Sequence, residues 1–259
     1  MINYFTNLNP IFLAFLGGIF SFSITTLGAA VIFAFRKFNK TLMNAMLAIS
    51  AGIMFSASFF SLINPALDIC FDNNQNFFLT VVLGFILGGL FIYFSNKFID
   101  KIKFNKYKGL KGSILLFSSI TLHNIPEGIA IGVAFGNLLY GGSLIAAVSL
   151  TLGIAIQNFP EGAAISLPLA RNNISSKKAF LLGSLSGIVE PIFAVIGALL
   201  VLRINNILSF ILSFAASAMI FVTVFELIPE SQSSEKKDLM ALIFIFGFIF
   251  MMILDVLLG

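Results

Sequence analysis

Two closely similar motifs in this chain combine metal-ligating side chains with proline and glycine. They read LHNIPEGIAIG from Leu122 to Gly132 and IQNFPEGAAIS from Ile156 to Ser166, and equivalent positions lie 34 residues apart. Imidazole, amide and carboxylate groups are ligands that divalent metal ions take in proteins. The motifs therefore predict a site for divalent cations that is built from an internal repeat.

The spacing within each motif places its polar side chains on one face of a helix. His123, the only histidine in the sequence, lies four residues before Glu127, and Asn124 lies three residues before it. Side chains at these separations are neighbours on a helix surface. The second motif repeats the arrangement with Gln157, Asn158 and Glu161. Facing each other, the copies would supply one imidazole, three amides and two carboxylates, and Glu190 would add a third carboxylate.

Each motif also carries a proline and a glycine that suit a binding site inside a helix. Pro126 and Pro160 have no backbone N–H and clash with the carbonyl four residues earlier, so each is expected to kink its helix and free carbonyl oxygens. Gly128 and Gly162 follow two residues later and allow a neighbouring backbone to approach closely.

The composition of the chain is that of an integral membrane protein. Of its 259 residues, 59% are hydrophobic and only 10% are charged, and the mean hydropathy is +1.04. These values exclude a soluble globular domain and a disordered chain. A single cysteine, Cys70, excludes a disulfide framework within the chain and a thiolate metal cage. The net charge of +4 is explained by membrane topology, so we expect no nucleic-acid partner.

Apolar stretches in the sequence predict eight membrane-spanning helices in a single transmembrane domain, residues 1–259. Their continuous apolar runs lack the alternation of barrel strands, so the predicted fold class is all-α. The predicted spans cover about 10–35, 42–63, 77–95, 112–134, 143–169, 178–202, 206–228 and 239–258.

The distribution of basic residues predicts the orientation of these helices. Of 15 Lys and Arg residues, 14 lie in the connections after spans one, three, five and seven. The positive-inside rule places these connections in the cytoplasm and both termini outside. Because the two motifs lie on consecutive spans, their copies cross the membrane in opposite directions. Inverted repeats that meet at the midplane are typical of transporter binding sites.

Three glutamates fall near the middle of predicted spans, namely Glu127, Glu161 and Glu190. Inserting a charged side chain at that depth of the bilayer costs about 2.5 to 3.5 kcal/mol of free energy, even on the scale that gives the lowest values. Two structural explanations compete with metal binding. The carboxyls could pair with Lys or Arg, although no basic residue lies in the interior of a span. They could also be protonated and hydrogen-bond neighbouring helices, although the internal repeat favours a shared ligand.

With these motifs the chain resembles the ZIP family of divalent-metal transporters, most closely its prokaryotic zinc-transporter-like branch. The resemblance covers essentially the whole chain: eight spans, HNIPEG in span four, QNFPEG in span five, and Glu190 before Pro191 in span six. It implies uptake of a divalent transition metal into the cytoplasm. Zinc is the first candidate, and iron, manganese, cobalt and cadmium are others. It also implies alternating access and a homodimer in the lipid bilayer of the inner membrane.

The resemblance further implies two adjacent metal sites at the midplane. The first would be formed by His123, Glu127, Gln157 and Glu161. The second would be formed by Asn124, Asn158 and Glu190, with Glu127 and Glu161 bridging the two ions.

An exit and an entrance are implied in the same way. FELIPE at the end of span seven places a cytoplasmic exit site at Glu226, but Phe225 stands where many relatives have a histidine. Asp255 near the outer end of span eight, together with Asp68 or Asp72, would belong to the entrance. All three aspartates could equally be solvated residues at the ends of helices.

Alternatives to a zinc carrier follow from the scarcity of histidine. Many relatives have histidine where Gln157 stands, and the loop 96–111 contains none, so the preference for zinc over iron, manganese or cadmium is weakened. A membrane-embedded metalloenzyme is one alternative, but the H-E-x-x-H motif is absent. A metal sensor is another, and it would bind metal without flux.

Overall fold

The computed structural model describes residues 8–34, 39–101, 111–171, 174–203 and 207–258, and no strand occurs among them. The predicted all-helical fold class is confirmed. Numbered in chain order, the helices are α1 (Pro10–Ala34), α2 (Lys40–Asp72), α3 (Phe78–Lys101), α4 (Lys111–Gly136), α5 (Leu144–Arg171), α6 (Ser176–Arg203), α7 (Leu208–Ser231) and α8 (Lys237–Leu258).

The described helices have the length and composition of membrane spans. Seven of them are long and apolar enough to cross a bilayer. The remaining helix, α4, has 26 residues and a length of about 39 Å, compared with about 30 Å of hydrocarbon in a typical membrane. The sidedness of the termini stays a prediction.

Helix α2 corrects one predicted boundary. The second span was expected to end at residue 63, but the helix continues to Asp72 through a π-helical segment, Ser58–Ile63. Asn64 and Pro65 follow the predicted end directly. In the structure Pro65 lies in the first turn after the π segment, where a missing N–H is tolerated. Helix α7 is built similarly, with a π segment at Thr223–Leu227 followed by Pro229 in the first turn of the next segment.

The helices pack as two groups of four. Helices α1, α4, α5 and α6 form one group, called here the site bundle, and α2, α3, α7 and α8 form the other, called the flanking bundle. The extensive pairs are α1 with α5 and with α6, α4 with α6, α2 with α7 and with α8, and α3 with α7. The seam between the bundles is formed mainly by α2 against α5 and α4 against α7.

The packing pattern is symmetric when helices are exchanged in pairs. Exchanging α1 with α6, α2 with α7, α3 with α8 and α4 with α5 maps each extensive pairing, and each pairing at the seam, onto an equivalent pairing or onto itself. Exchanged helices are one or five places apart in the chain, so they cross the membrane in opposite directions. This is the pattern that an inverted repeat predicts.

Glycines bring backbones together inside each bundle. A Cβ at Gly132 of α4 would overlap the backbone of Ala194 on α6, and one at Gly52 of α2 would overlap the backbone of Phe244 on α8. Among the described glycines, only Gly153 has its nearest atoms in the opposite bundle, and the closest belong to the flexible side chain of Met251. Backbone-to-backbone packing at glycine is therefore a feature of the bundle interiors.

Candidate metal centre

The predicted ligands on α4, α5 and α6 are brought together in the interior of the site bundle. Six of the seven side chains are described, and each is at most 1% exposed: Asn124, Glu127, Gln157, Asn158, Glu161 and Glu190. The seventh predicted ligand, His123, lies on α4, but its side chain is outside the described part of the structure. Sequence reasoning therefore located a single buried polar cluster on three helices.

The three carboxyl groups lie within electrostatic range of one another. Four of their six oxygens have no hydrogen-bond partner among the described residues: Oε2 of Glu127, both oxygens of Glu161, and Oε2 of Glu190. Pairing with a basic residue therefore does not explain these groups in the described structure. Hydrogen bonding between helices accounts for one oxygen each of Glu127 and Glu190 and for neither oxygen of Glu161.

The amide groups in the cluster use their N–H donors on protein partners. Asn124 Nδ2 donates to the carbonyl of Ser186 at 3.0 Å, and Gln157 Nε2 donates to Glu127 Oε1 at 2.5 Å. The oxygens Asn124 Oδ1 and Gln157 Oε1 have no partner among the described residues. With the four carboxyl oxygens, the cluster thus has six buried oxygens without a donor.

A buried acceptor without a donor is costly, and such atoms are rare unless water or an ion satisfies them. Oxygen-rich sets of this kind suit divalent cations, because carboxylates can bridge two ions and amide oxygens accommodate harder ones. Among the described residues, no group of three or more His, Cys, Asp or Glu could hold a metal ion. The other predicted ligands are the amides Asn124, Gln157 and Asn158, and His123, whose side chain lies outside the described residues.

Backbone irregularities position the ligands. Pro126 lies inside α4 and Pro160 inside α5, as predicted, so the carbonyls four residues earlier lack their usual helical donor. Helix α6 changes to a 3-10 turn at Ser186–Ile188, which ends two residues before Glu190. The Ser186 carbonyl in this turn accepts the bond from Asn124. The break in α6 therefore ties the ligand segment of α6 to that of α4.

Helix α1 contributes two hydroxyl groups that the sequence analysis missed. Thr25 Oγ1 donates to Glu190 Oε1 at 3.3 Å, and Asn158 Nδ2 donates to Ser21 Oγ at 2.9 Å. Ser and Thr are common in apolar helices and carry no charge, so neither residue stood out. A usable signal was the run of small residues along one face of α1, in which Gly17, Ser21 and Thr25 follow at four-residue intervals.

Comparison with known proteins identifies the family. A family model described as "ZIP Zinc transporter" matches residues 103–255, which is more than half of the chain and includes both motifs and Glu190. The chain belongs to the ZIP family. The resemblance seen in the motifs is confirmed, and so is the prediction of a transporter and not an enzyme.

Relatives of this ZIP protein align over nearly its whole length. Zinc transporter ZIP11 from Xenopus tropicalis is 30% identical over 97% of the chain and 98% of its own length. Zinc transporter ZIPB from Bordetella bronchiseptica is 33% identical over 95% of the chain and 81% of its own length. Zinc transporter GufA from Myxococcus xanthus is 30% identical over 91% and 94%, respectively.

The ZIP chain also has an acidic residue in a polar pair toward each end of the flanking bundle. Near the predicted outer end, Ser61 Oγ donates to Asp255 Oδ1 at 2.5 Å, and Asp255 Oδ2 has no partner among the described residues. Near the predicted cytoplasmic end, Asn96 Nδ2 donates to Glu226 Oε1 at 3.4 Å. The first pair joins α2 to α8 and the second joins α7 to α3, so the two occupy positions that the helix exchange relates.

Of the predicted entrance and exit residues, Asp255 and Glu226 have surroundings that fit such a role. Asp255 lines a cavity of about 180 Å³ between the bundles, and Glu226 lies within electrostatic range of Glu161. Asp68 and Asp72 are exposed on the last turns of α2 and do not line this cavity. A place for either residue in the entrance stays a prediction.

Proposed function

We propose that this ZIP protein carries divalent transition-metal ions across the membrane into the cytoplasm. The observation that supports the proposal most directly is the cluster of six unpartnered oxygens, contributed by side chains at most 1% exposed on α4, α5 and α6. A divalent cation would satisfy these acceptors and neutralise the neighbouring carboxylates. The cation is the cargo, so the cluster is a transport site.

The arrangement supports a binuclear site at the midplane. One ion would be held by His123, Glu127, Gln157 and Glu161. The second would be held by Asn124, Asn158 and Glu190, with Glu127 and Glu161 shared between the two ions. Sharing is favourable because a bridging carboxylate presents one oxygen to each cation, and both oxygens of Glu161 are available among the described residues.

Zinc is the proposed first cargo because the aligned relatives are named zinc transporters. The ligand set itself is less selective. It offers one imidazole and is otherwise oxygen-based, and such a set also suits iron, manganese, cobalt and cadmium. We therefore expect zinc transport with measurable uptake of these other ions.

Alternating access between the two bundles is the proposed mechanism. All ligands of the proposed binuclear site lie on the site bundle, whereas the proposed entrance residue Asp255 and exit residue Glu226 lie on the flanking bundle. Close backbone contacts at glycines hold each bundle together. Across the seam, Gly153 is the only described glycine whose nearest atoms belong to the opposite bundle. Sliding of the site bundle along the seam would carry bound ions from the Asp255 cavity toward Glu226.

The proposed assembly is a homodimer in the inner membrane. The fold and family support a multi-pass membrane protein, and aligned relatives include bacterial proteins. Helices α3 and α8 of the flanking bundle are the least buried of the seven apolar helices, so these two helices present most of their apolar surface outward. We expect a dimer to form through that bundle while the site bundle moves.

Time-resolved uptake into proteoliposomes tests the proposal. Zinc, iron, manganese and cadmium are supplied outside, and wild type is compared with Glu127→Ala and Glu161→Ala. Glu235→Ala is the matched control, because Glu235 is an exposed carboxylate outside the cluster and outside the predicted entrance and exit. We expect saturable uptake in the wild type and control and none in the two variants. Tight binding without flux for any ion would refute transport and support a sensor.

A further inference from the structure

Helix α1 meets the proposed metal centre through two hydroxyls that lie four residues apart. Ser21 and Thr25 are both 0% exposed. Thr25 Oγ1 lies 3.3 Å from both Glu190 Oε1 and the backbone carbonyl oxygen of Ser21, so its one proton is shared between these acceptors, and Ser21 Oγ accepts from Asn158 Nδ2 at 2.9 Å. The two contacted residues are ligands of the proposed second metal site. Helix α1 supplies no predicted ligand, so these contacts are not part of the ligand set itself.

The backbone of α1 reaches this depth because small residues line the same helix face. A Cβ at Gly18 would overlap the backbone of Pro191, directly after Glu190, and a Cβ at Gly28 would overlap the backbone of Phe159. These glycines and the two hydroxyl residues follow at spacings of three and four, which is one face of a helix. Helix α1 is therefore packed tightly against the ligand segments of both α5 and α6.

These contacts determine which ligand atoms remain available. Thr25 engages Oε1 of Glu190, and Oε2 of the same carboxyl has no partner among the described residues. Ser21 engages the amide nitrogen of Asn158, so the amide oxygen is turned away from α1 and toward Gln157, whose Nε2 lies 3.4 Å away. Each hydroxyl thus occupies one end of a ligand and leaves the other end facing the cluster.

We propose that Ser21 and Thr25 are positioning residues for the second metal site, holding Asn158 and Glu190 with one oxygen of each directed at a divalent cation. This inference rests on the binuclear centre proposed above. Groups that orient metal ligands typically change metal affinity about 10- to 100-fold when they are removed. The effect is expected at the second site, because Thr25 and Ser21 contact neither Glu127 nor Glu161 in the described hydrogen bonds.

Two threonines that are adjacent in α1 provide a matched test. Thr25→Val removes the hydroxyl that contacts Glu190 and keeps the shape of the side chain. Thr26→Val makes the same change at a hydroxyl that is also buried but has no hydrogen-bond partner among the described residues. Thr25→Ser retains the hydroxyl and should rescue the effect. Ser21→Ala tests the contact to Asn158.

Zinc and cadmium are titrated by calorimetry into the purified full-length protein in detergent, with thermal stability of the metal-free protein measured in parallel. We expect two ions in the wild type and in Thr26→Val. In Thr25→Val, the affinity for one ion should fall about 10- to 100-fold while the affinity for the other changes less than twofold. Thr25→Ser should bind like the wild type.

Two outcomes would overturn the inference while leaving the proposed centre intact. One is equal affinities in Thr25→Val and Thr26→Val. The other is an equal loss at both ions in Thr25→Val together with lower stability of the metal-free protein, which would indicate a purely structural role. A wild-type protein that binds a single ion would instead refute the binuclear centre, and the inference with it.

Discussion

Replacing Glu161 by methionine is expected to stabilise the metal-free protein and to abolish its stabilisation by zinc. Glu161 is 1% exposed, and neither of its carboxyl oxygens has a hydrogen-bond partner among the described residues. Methionine is unbranched and adapts to irregular spaces, so it can fill the position without two buried acceptors. The same substitution removes the carboxylate that both proposed metal sites share.

The magnitude follows from the unmet acceptors. A buried polar group without a partner costs about 1 to 3 kcal/mol, so the free energy of unfolding of the metal-free variant should rise by about that amount. For a chain of this size, 1 kcal/mol corresponds to about 2 to 4 °C, which gives an increase in Tm of about 2 to 12 °C. In the wild type, zinc at a hundred times its Kd adds about 2.7 kcal/mol, and the variant should gain nothing.

The chain contains its own reporter for this measurement. It has no tryptophan, and its single cysteine, Cys70, is free and buried. A thiol-reactive dye that fluoresces on reaction therefore reports unfolding during a thermal ramp. Glu230→Gln is the control, because Glu230 is exposed at the end of α7. The reasoning is refuted if Glu161→Met lowers the Tm of the metal-free protein, or if zinc still raises the Tm of the variant.

Three further substitutions test the proposed mechanism. Ser50 Oγ donates to the Gln157 carbonyl at 2.9 Å across the seam, so Ser50→Ala should change the zinc uptake rate about 2- to 10-fold without changing zinc affinity. Ser56→Ala removes a buried hydroxyl that has no described partner and should leave both the uptake rate and the affinity unchanged. Gln157→His adds an imidazole and should raise the ratio of zinc to manganese uptake in proteoliposomes; an unchanged ratio would exclude this residue as a selectivity determinant. Gly28→Ala should lower the free energy of unfolding by about 1 to 3 kcal/mol in thiol-dye melts, because the added Cβ overlaps the backbone of Phe159. Gly153→Ala should lower it by less, because its Cβ overlaps only the flexible side chain of Met251. Equal losses of stability would contradict the distinction between bundle interior and seam.

The positions of the buried carboxyl groups could be predicted from the sequence, because an ionisable residue in an apolar span is energetically costly and therefore conspicuous. Three residues were identifiable because an ionisable side chain in an apolar span is rare unless it has a function: Glu127, Glu161 and Glu190. Two of them, Glu127 and Glu161, also occupy the same position in the repeated motif. The fold class followed from composition and from the length of the apolar runs. All three carboxyls are buried on the expected helices.

Other features depend on contacts that no local pattern encodes. The second span was predicted to end at residue 63, but a π segment lets the helix continue past Pro65. The contacts of Ser21 and Thr25 with the cluster depend on where α1 packs. Uncharged hydroxyl residues are common in apolar helices, so the sequence around them does not indicate these contacts. The resemblance grouped Asp68 with the entrance; in the structure it is exposed and does not line the Asp255 cavity, so its role stays a prediction.

The central claim is that divalent cations pass through the buried cluster on α4, α5 and α6. Anomalous diffraction from crystals of the cadmium-loaded protein tests it most directly, because it locates the ion without reference to flux. We predict two adjacent cadmium peaks, one bound by Glu127 and Glu161 and the other by Glu190, both lost in Glu161→Ala. Cadmium bound only elsewhere in the protein, with the cluster empty at saturating metal, would contradict the account.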